Sequence, residues 1–565
     1  MPFNAPVEDF RFILERVIGF SDIAATVRHA EMTPDVTDAI LTEGGRMCDG
    51  VLAPLNRAGD LQPARLENGV VRTSPGYAEG YRAIAEGGWV GMAATPEHGG
   101  MGLPMTLVTC INEMMGGACL ALQLNPLMTQ AEIEALERHA SPDLQKLYLP
   151  KLISGEWCGT MNLTEPQAGS DVGALKTKAE PDGEGTYRIT GQKIYITWAD
   201  NDFSDNVVHM VLARLPGAAE GTKGISLFLV PKLIPDAEGK PGQANSLRVV
   251  SLEHKLGIHG SPTAVMEYDG ATGWLVGEPH GGMAAMFTMM NNARLGVGSQ
   301  AVGVAEAATQ AALAYAQERR QGRAGGSGAI VEHADVRAML ARMRAETFAA
   351  RAITLACAKA IDLGREGDGA ARARAALLTP IAKAFGTETG INVADLGIQV
   401  HGGMGYIEET GAAQFLRDAR ITAIYEGTNG IQAMDLVGRK MMDGGAAAYA
   451  LIDEIEADAK AARDGVAELA EPVWQAAEAM REATEWLLEH ETADRFAGAM
   501  PYLRAFARLL GAYYHLRAAQ AGVGRRRRLA AFYIRRMLPE QAAHIAALRA
   551  GPESVMALDA GDLSV

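Results

Sequence analysis

One carboxylate in this 565-residue chain is set apart by its neighbours. Glu426 lies in Ala423-Ile-Tyr-Glu-Gly-Thr-Asn-Gly-Ile-Gln-Ala-Met434, between an aromatic residue and a glycine. A lone glutamate in a loop is usually solvated surface. Here Gly427 removes the next β-carbon, so main chain can close on a ligand. A carboxylate so placed is a candidate for acid–base work. A second glycine-dense loop, Gln399-Val-His-Gly-Gly-Met-Gly-Tyr406, lies just upstream.

Two more segments gather polar groups. Met161-Asn-Leu-Thr-Glu-Pro-Gln-Ala-Gly-Ser-Asp171 offers small residues, hydroxyls and free backbone N–H groups. Such a loop can cradle a phosphate or another anion. Thr190-Gly-Gln-Lys-Ile-Tyr-Ile-Thr197 follows it. Either alone reads as an ordinary turn leading into a sheet; both in this order make a specific pattern. Gly296-Val-Gly-Ser-Gln-Ala-Val-Gly303 has the wrong spacing for a dinucleotide loop and no strand before it, so it reads as helix packing. No His-Glu-x-x-His, paired cysteine or carboxylate triad is present, and no metal is expected. His254, His259 and His401 read as structural.

The length exceeds one core and predicts several domains. With 48% hydrophobic and 21% charged residues, the composition is that of a globular protein. The net charge of −16 argues against a general nucleic-acid binder. Five scattered cysteines without a Cys-x-x-Cys pair read as small core residues in a reducing compartment. The opening Met1-Pro-Phe-Asn-Ala-Pro-Val-Glu-Asp-Phe10 reads as neither secretory signal nor transit peptide. No apolar stretch reads as long enough to span a bilayer. A cytoplasmic protein without a membrane partner is expected.

Four segments follow from the patterning. Residues 1–158 read as helical, with Pro96-Glu-His-Gly-Gly-Met-Gly102 as a loop. Residues 159–280 read as an antiparallel β domain, with a hairpin around a Thr-Gly turn in Thr186–Thr197. Residues 281–442 read as a helical bundle, where Val336, Met339, Met343, Ala350, Ile353 and Cys357 mark one apolar face. A flexible loop is expected at Gly322–Ala329. Residues 443–565 read as an additional helical domain after a glycine hinge. Its one basic run, Arg525 to Arg528, reads as a solvated or interface-facing helix segment.

Thr164-Glu-Pro-Gln-Ala-Gly-Ser-Asp171, the Thr190–Thr197 segment, Gln399–Tyr406 and Tyr425-Glu-Gly427 together resemble the acyl-CoA dehydrogenase family, and the resemblance covers nearly the whole chain. It implies the α+β acyl-CoA dehydrogenase fold and FAD as cofactor. Leu163, Thr164 and Ser170 would contact FAD, with Tyr195, Ile196 and Thr197 against the isoalloxazine. Many relatives carry Trp where Tyr195 stands. Thr428 matches a further FAD contact. Arg319, Gln321, Gln399, Gly402 and Gly403 match groups that complete the FAD site of a neighbouring subunit, which implies a homodimer. Ser170, Asn291 and Arg294 match acyl-CoA-binding positions, although many relatives have Asp at 291.

The resemblance makes Glu426 the base that takes the α-proton of an acyl-CoA thioester, while hydride passes to flavin N5 and a trans-2-enoyl-CoA forms. Some family branches place the base on a helix matching Asn291-Asn-Ala-Arg294; no acid stands there. An electron-transfer flavoprotein is the implied acceptor. Asn429–Lys440 and Ala5–Phe12 look most like the 3-methylmercaptopropionyl-CoA dehydrogenases, which oxidise 3-(methylthio)propanoyl-CoA. Straight-chain acyl-CoA dehydrogenases share the length and tail. A DNA-associated alkylation-response flavoprotein and an oxygen-using acyl-CoA oxidase are the alternatives from other classes.

Overall fold

The computed structural model describes residues 3–183, 185–323, 326–522 and 524–564. Its first part is helical: α1 (Val7–Phe12), α2 (Ser21–Ala24), α3 (Pro34–Met47), α4 (Ala53–Leu61), α5 (Tyr77–Glu86), α6 (Met105–His139) and α7 (Pro142–Ile153). A small hairpin, β1 (Arg65–Glu67) and β2 (Val70–Arg72), interrupts it. Local caps start α3 and α7: Thr33 accepts the N–H of Val36 at 3.3 Å and Ser141 that of Leu144 at 3.4 Å, each with proline next. α6 begins after Pro104, which cannot cap it. Asp362 does so from another helix, accepting the N–H of Met105 at 2.6 Å and of Thr106 at 2.9 Å. α6 is long and apolar enough to cross a bilayer, contrary to the sequence reading, yet the apolar stretch is wholly buried among other helices. It breaks at Cys119, where φ is −158° and ψ 87°.

The second part is a sheet: β3 (Trp157–Asn162), β4 (Lys178–Pro181), β5 (Thr186–Thr197), β6 (Asn206–Arg214), β7 (Ile225–Pro231), β10 (Leu247–Leu252) and β11 (Thr263–Val276). β8 (Leu233–Pro235) and β9 (Pro241–Ala244) form a separate ribbon. β11, β5, β4, β6 and β7 pair in a closed ring, which leaves fewer bare edges. Pairing is antiparallel except for β3 beside β6 and one β4–β6 residue pair. Ile189, Ile196, Val211, Phe228, Val230 and Met266 fill a second, smaller core. The expected hairpin in Thr186–Thr197 is instead one continuous strand, paired with β11 along its length with two register shifts. Gly191 serves close packing there: a β-carbon would lie 2.5 Å from Thr177 Oγ1.

The third part packs α8 (Gly282–Glu318) and α9 (Ala334–Arg365) against α6, with α10 (Gly369–His401) laid on α8 and α9. Glycines set the crossings. A β-carbon at Gly303 would lie 2.2 Å from Glu113 O, and one at Gly298 2.9 Å from Ala382 O. The Gly296–Gly303 run thus serves helix packing, as its spacing suggested. α11 (Ala412–Ala419) and α12 (Asn429–Val437) follow. The expected loop at Gly322–Ala329 lies partly outside the described residues, at 324 and 325.

The last part holds α13 (Ala446–Glu489), α14 (Thr492–Ala497), α15 (Ala499–Ala521), α16 (Arg525–Arg536) and α17 (Glu540–Arg549). Gly444 and Gly445, at φ +73° and +76°, make the tight entry to α13. α15 is its axis and packs on α9 and α12. The basic run is drawn inward in part. Arg526 pairs with Asp9 of α1 and lies 4.4 Å from the Phe12 ring centroid, and Arg527 meets Glu468 at 2.8 Å.

Beneath α1 lies a buried ionic network. Arg351 donates to Glu113 at 2.7 Å and to Glu306 at 2.9 Å, and faces Asp9 at 3.4 Å. Burial pushes Glu113 up to about 7 against the pull of Arg351, whereas Glu306, despite burial, is held at about 2 by Arg344 and Arg351. Arg351→Met strands two buried carboxylates. It is expected to cost about 3–5 kcal/mol in urea unfolding; a loss below about 1 kcal/mol would deny the network that role.

Candidate active site

The Glu426 turn is built from two consecutive left-handed residues, Glu426 at φ +55° and Gly427 at φ +85°. That conformation costs a glutamate on the order of 1 kcal/mol and needs support. Lys383 of α10 donates to Gly427 O at 2.9 Å and to Asn429 Oδ1 at 3.0 Å. Gln432 donates to the carbonyls of Glu426 and Gly427, both at 3.2 Å. Thr428 caps α12 by accepting the N–H of Ile431 at 3.3 Å. Tyr425 donates to Gln300 at 2.8 Å, and a buried amide chain runs on through Gln123, Asn112 and Gln130 to the carbonyl of Trp89. The N–H of Glu426 donates to no protein group among the described residues.

Charge at this turn is finely opposed. Burial raises the proton affinity of Glu426, while Arg294 and Lys383 pull it down. Burial pushes Lys383 down to about 7, with Glu426 resisting. Arg294 of α8 is only 5% exposed, and burial lowers its proton affinity too. Its NH1 faces Asp435 at 3.7 Å and its Nε has no partner. Asn291, on the same helix, is exposed. Its neighbour Asn292 is buried and donates to Glu134 at 2.6 Å.

A second cluster forms at the tip of β5. Thr164 O accepts the N–H of Ile194 at 2.9 Å, and Lys193 donates to Leu163 O at 3.0 Å and Glu165 at 2.8 Å. Despite burial, Lys193 and Thr177 hold Glu165 at about 2. The first loop is thereby fastened to the strand that presents Tyr195, Ile196 and Thr197. Tyr195 takes φ +62° and is 61% exposed. The Ile196 side chain faces the small sheet core, so that residue offers only its main chain. Trp198, at φ +54°, anchors the tip by donating to Ala121 O at 3.0 Å, two residues beyond the break in α6. Ser170 lies exposed in the loop.

A third cluster lies at one end of the bundle. Tyr315 of α8 stacks on His401 of α10 with ring centroids 4.4 Å apart. That stack brings the end of α8, with exposed Arg319 and Gln321, beside exposed Gln399, Gly402 and Gly403. β-carbons at Gly402 and Gly403 would meet nothing within 4 Å. Met404, Tyr406 and Ile407 are exposed in the same loop, Tyr406 to 86%. Among the described residues no cluster of three metal-ligating side chains occurs.

Sequence reasoning missed Lys383, Asp435, Gln300 and Trp198. For the first two a signal existed: a lone charge inside an apolar helical run, Leu377–Phe385 and Ile431–Val437 respectively. Gln300 and Trp198 had no such mark.

Comparison with known proteins bears on this layout. Models of the acyl-CoA dehydrogenase N-terminal, middle and C-terminal domains match residues 64–156, 160–271 and 280–442. An acetyl-CoA dehydrogenase C-terminal-like model matches residues 451–559. The chain is 46% identical over 519 residues to 3-methylmercaptopropionyl-CoA dehydrogenase of Ruegeria pomeroyi, covering 89% of this chain and 88% of that one. The solved structure of Caenorhabditis elegans ACDH-11 in complex with C11-CoA superposes with a TM-score of 0.79 at 21% identity, covering 94% and 91% of the two chains. A Bacillus anthracis acyl-CoA dehydrogenase complexed with FAD gives 0.72 at 22%, covering 94% and 90%. Helical layer, closed sheet and bundle are thus those of a flavin-dependent oxidoreductase. The chain belongs to the acyl-CoA dehydrogenase family, whose cofactor is FAD.

The residues present fit that cofactor. An exposed aromatic held at positive φ suits a planar ring, the hydroxyls of Thr164, Ser170 and Thr197 suit a polar chain, and Arg319 beside open glycines suits a phosphate and its nucleoside. At the base itself, Gly427→Ala would put a β-carbon 2.8 Å from Gln432 Nε2 at a left-handed φ. Flavin reduction by substrate is expected to slow about tenfold or more, with the circular dichroism spectrum retained. An unchanged rate would mean that the turn tolerates distortion.

Proposed function

We propose that this acyl-CoA dehydrogenase oxidises 3-(methylthio)propanoyl-CoA to 3-(methylthio)acryloyl-CoA, with Glu426 as the base. The substrate reading rests on the 46% identity, spread over 89% of the chain, to 3-methylmercaptopropionyl-CoA dehydrogenase. The assignment of the base rests on one observation: a carboxylate whose proton affinity burial raises, on a turn whose own N–H is free.

The α-C–H of a thioester is a weak acid, so the base must be strong and the developing oxyanion must be met by a donor. The N–H of Glu426 supplies that donor, and the same turn aims carboxylate and N–H at neighbouring atoms of one substrate. Arg294 and Asn291, with Ser170 from the sheet side, hold the CoA portion. Leu163, Thr164, Ser170, Tyr195, the main chain of Ile196, Thr197 and Thr428 hold FAD. FAD, when bound, supplies the two-electron acceptor. Arg319, Gln321, Gln399, Gly402 and Gly403 complete the FAD site of a second copy in a homodimer. The exposed Met404, Tyr406 and Ile407 support that reading, because a partner would cover them. An electron-transfer flavoprotein in the cytoplasm takes the electrons on.

Anaerobic visible titration tests the substrate. The flavin band should bleach at lower concentrations of 3-(methylthio)propanoyl-CoA than of butanoyl- or octanoyl-CoA. Equal bleaching by straight-chain thioesters would move the assignment to them. Glu426→Gln should keep FAD and lose at least about a thousandfold in reduction rate; reduction at the wild-type rate would remove Glu426 from the mechanism.

The pH dependence has a definite sign. The ionised form of Glu426 is the base, and its proton affinity lies above the ordinary 4.5. Reduction should therefore fall on acidification through a midpoint above the ordinary glutamate range. The linked stability runs the other way: the folded state holds this proton more tightly than the unfolded chain, so stability falls as pH rises from the ordinary value through the raised one. Glu426→Gln removes that liability, and its thermal midpoint at neutral pH should equal or exceed that of wild type. A clearly lower midpoint would contradict net destabilisation by the buried charge.

A further inference from the structure

Asp435 is the only charged residue of α12, the helix that follows the Glu426 turn, and the mechanism above does not use it. Its side chain is buried between two arginines. One oxygen accepts from Arg439 Nε at 2.6 Å, and the other faces Arg294 NH1 at 3.7 Å. Arg439 in turn lies over the Phe287 ring of α8 at 5.8 Å.

Arg294 is the unsettled member of this group. Its guanidinium makes no hydrogen bond among the described residues, and a β-carbon at Gly427 would lie 3.9 Å from its NH2. Its NH2 thus stands beside the Glu426–Gly427 turn, and its charge is felt by two carboxylates, Asp435 and Glu426. The other cation at the turn, Lys383, is already committed to Gly427 O and Asn429. Glu388 adds a smaller pull on Lys383, and burial pushes the Tyr425 hydroxyl up so that it stays neutral. Were Asp435 absent, the only acid left to Arg294 at this turn would be Glu426. A direct guanidinium–carboxylate pair favours the ionised acid and weakens it as a base.

We propose that Asp435 is a positioning residue that draws Arg294 away from Glu426, leaving the carboxylate basic and the guanidinium open to the acyl-CoA. Arg439 sets the strength of that pull by holding the second oxygen of the same carboxylate. The inference rests on Glu426 being the base.

A plain structural tie between Asp435 and Arg439 would make both substitutions harmful in the same way. The proposal gives them opposite signs. Asp435→Asn removes a negative charge and releases Arg294 toward Glu426, so Glu426 becomes the stronger acid. Arg439→Gln removes a positive charge and frees Asp435 for Arg294, so Glu426 becomes the weaker acid.

The test uses FAD-loaded full-length enzyme in anaerobic stopped-flow reduction across pH. A second readout is infrared titration of the carboxyl band that disappears in Glu426→Gln. Asp435→Asn should lower the acid midpoint by about one pH unit and reduce the plateau rate several-fold. Arg439→Gln should raise the midpoint, and Arg439→Lys should bring it back toward wild type. If both substitutions leave the midpoint in place, or move it the same way, the proposal is overturned. Should Asp435→Asn fail to fold, the sign of the Arg439→Gln shift decides alone. Wild-type reduction by Glu426→Gln would remove the base instead, whatever the Asp435 result, so the two failures are distinguishable.

Discussion

Burial pushes the proton affinity of Glu426 up while two cations pull it down, and the turn at Gly427 holds that opposition in place. A carboxylate in water has ordinary basicity, and one paired directly with arginine has less. The site needs the acid dry yet unpaired. Two left-handed residues in succession aim it, and they persist because Lys383, Gln432 and the Thr428 cap hold every flank of the turn.

Those supports need helices closer together than bulky side chains allow. Glycines at the α6–α8 and α8–α10 crossings bring the backbones together, so that Lys383 of α10 and Arg294 of α8 reach one turn. The same crossing buries Gln300, which receives the Tyr425 hydroxyl and passes the hydrogen-bond chain into α6. Each amide in that chain both donates and accepts, so none is stranded by a small error in its neighbour. Tyr425 and Glu426 are adjacent, and fixing one restrains the other.

How much of this was legible in the sequence varied with how local the cause was. Glu426 stood out because its glycine neighbour lets main chain close on a ligand; that both residues take positive φ was not written in the pattern, since glycine permits that conformation without requiring it. The domain succession was legible because periodicity changes from helical to alternating and back. The hairpin in Thr186–Thr197 was misjudged because Thr-Gly reads locally as a turn, whereas Gly191 answers to a packing contact with Thr177, just before β4. Asp362 capping α6 was invisible for the same reason: its partner lies 257 residues away. The positions of Arg319 and Gln399 beside each other also depend on a tertiary contact, the Tyr315–His401 stack, that no spacing reveals.

The additional helical domain had no evident task in the sequence, and its contacts give it one. α15 packs against both α9 and α12, and α14 places Phe496 at 3.5 Å from where a β-carbon on Gly438 would stand, at the end of α12. Arg526 reaches across to Asp9 at the opposite terminus. α12 is a short helix whose N-cap is Thr428 and whose second turn carries Asp435. A helix of nine residues is marginal by itself, so its position must come from what it packs on. The domain thereby restrains the element that sets both the capping of the Glu426 turn and the distance between Asp435 and Arg294. Its place is in the scaffold of the site, although none of its residues was singled out for the chemistry.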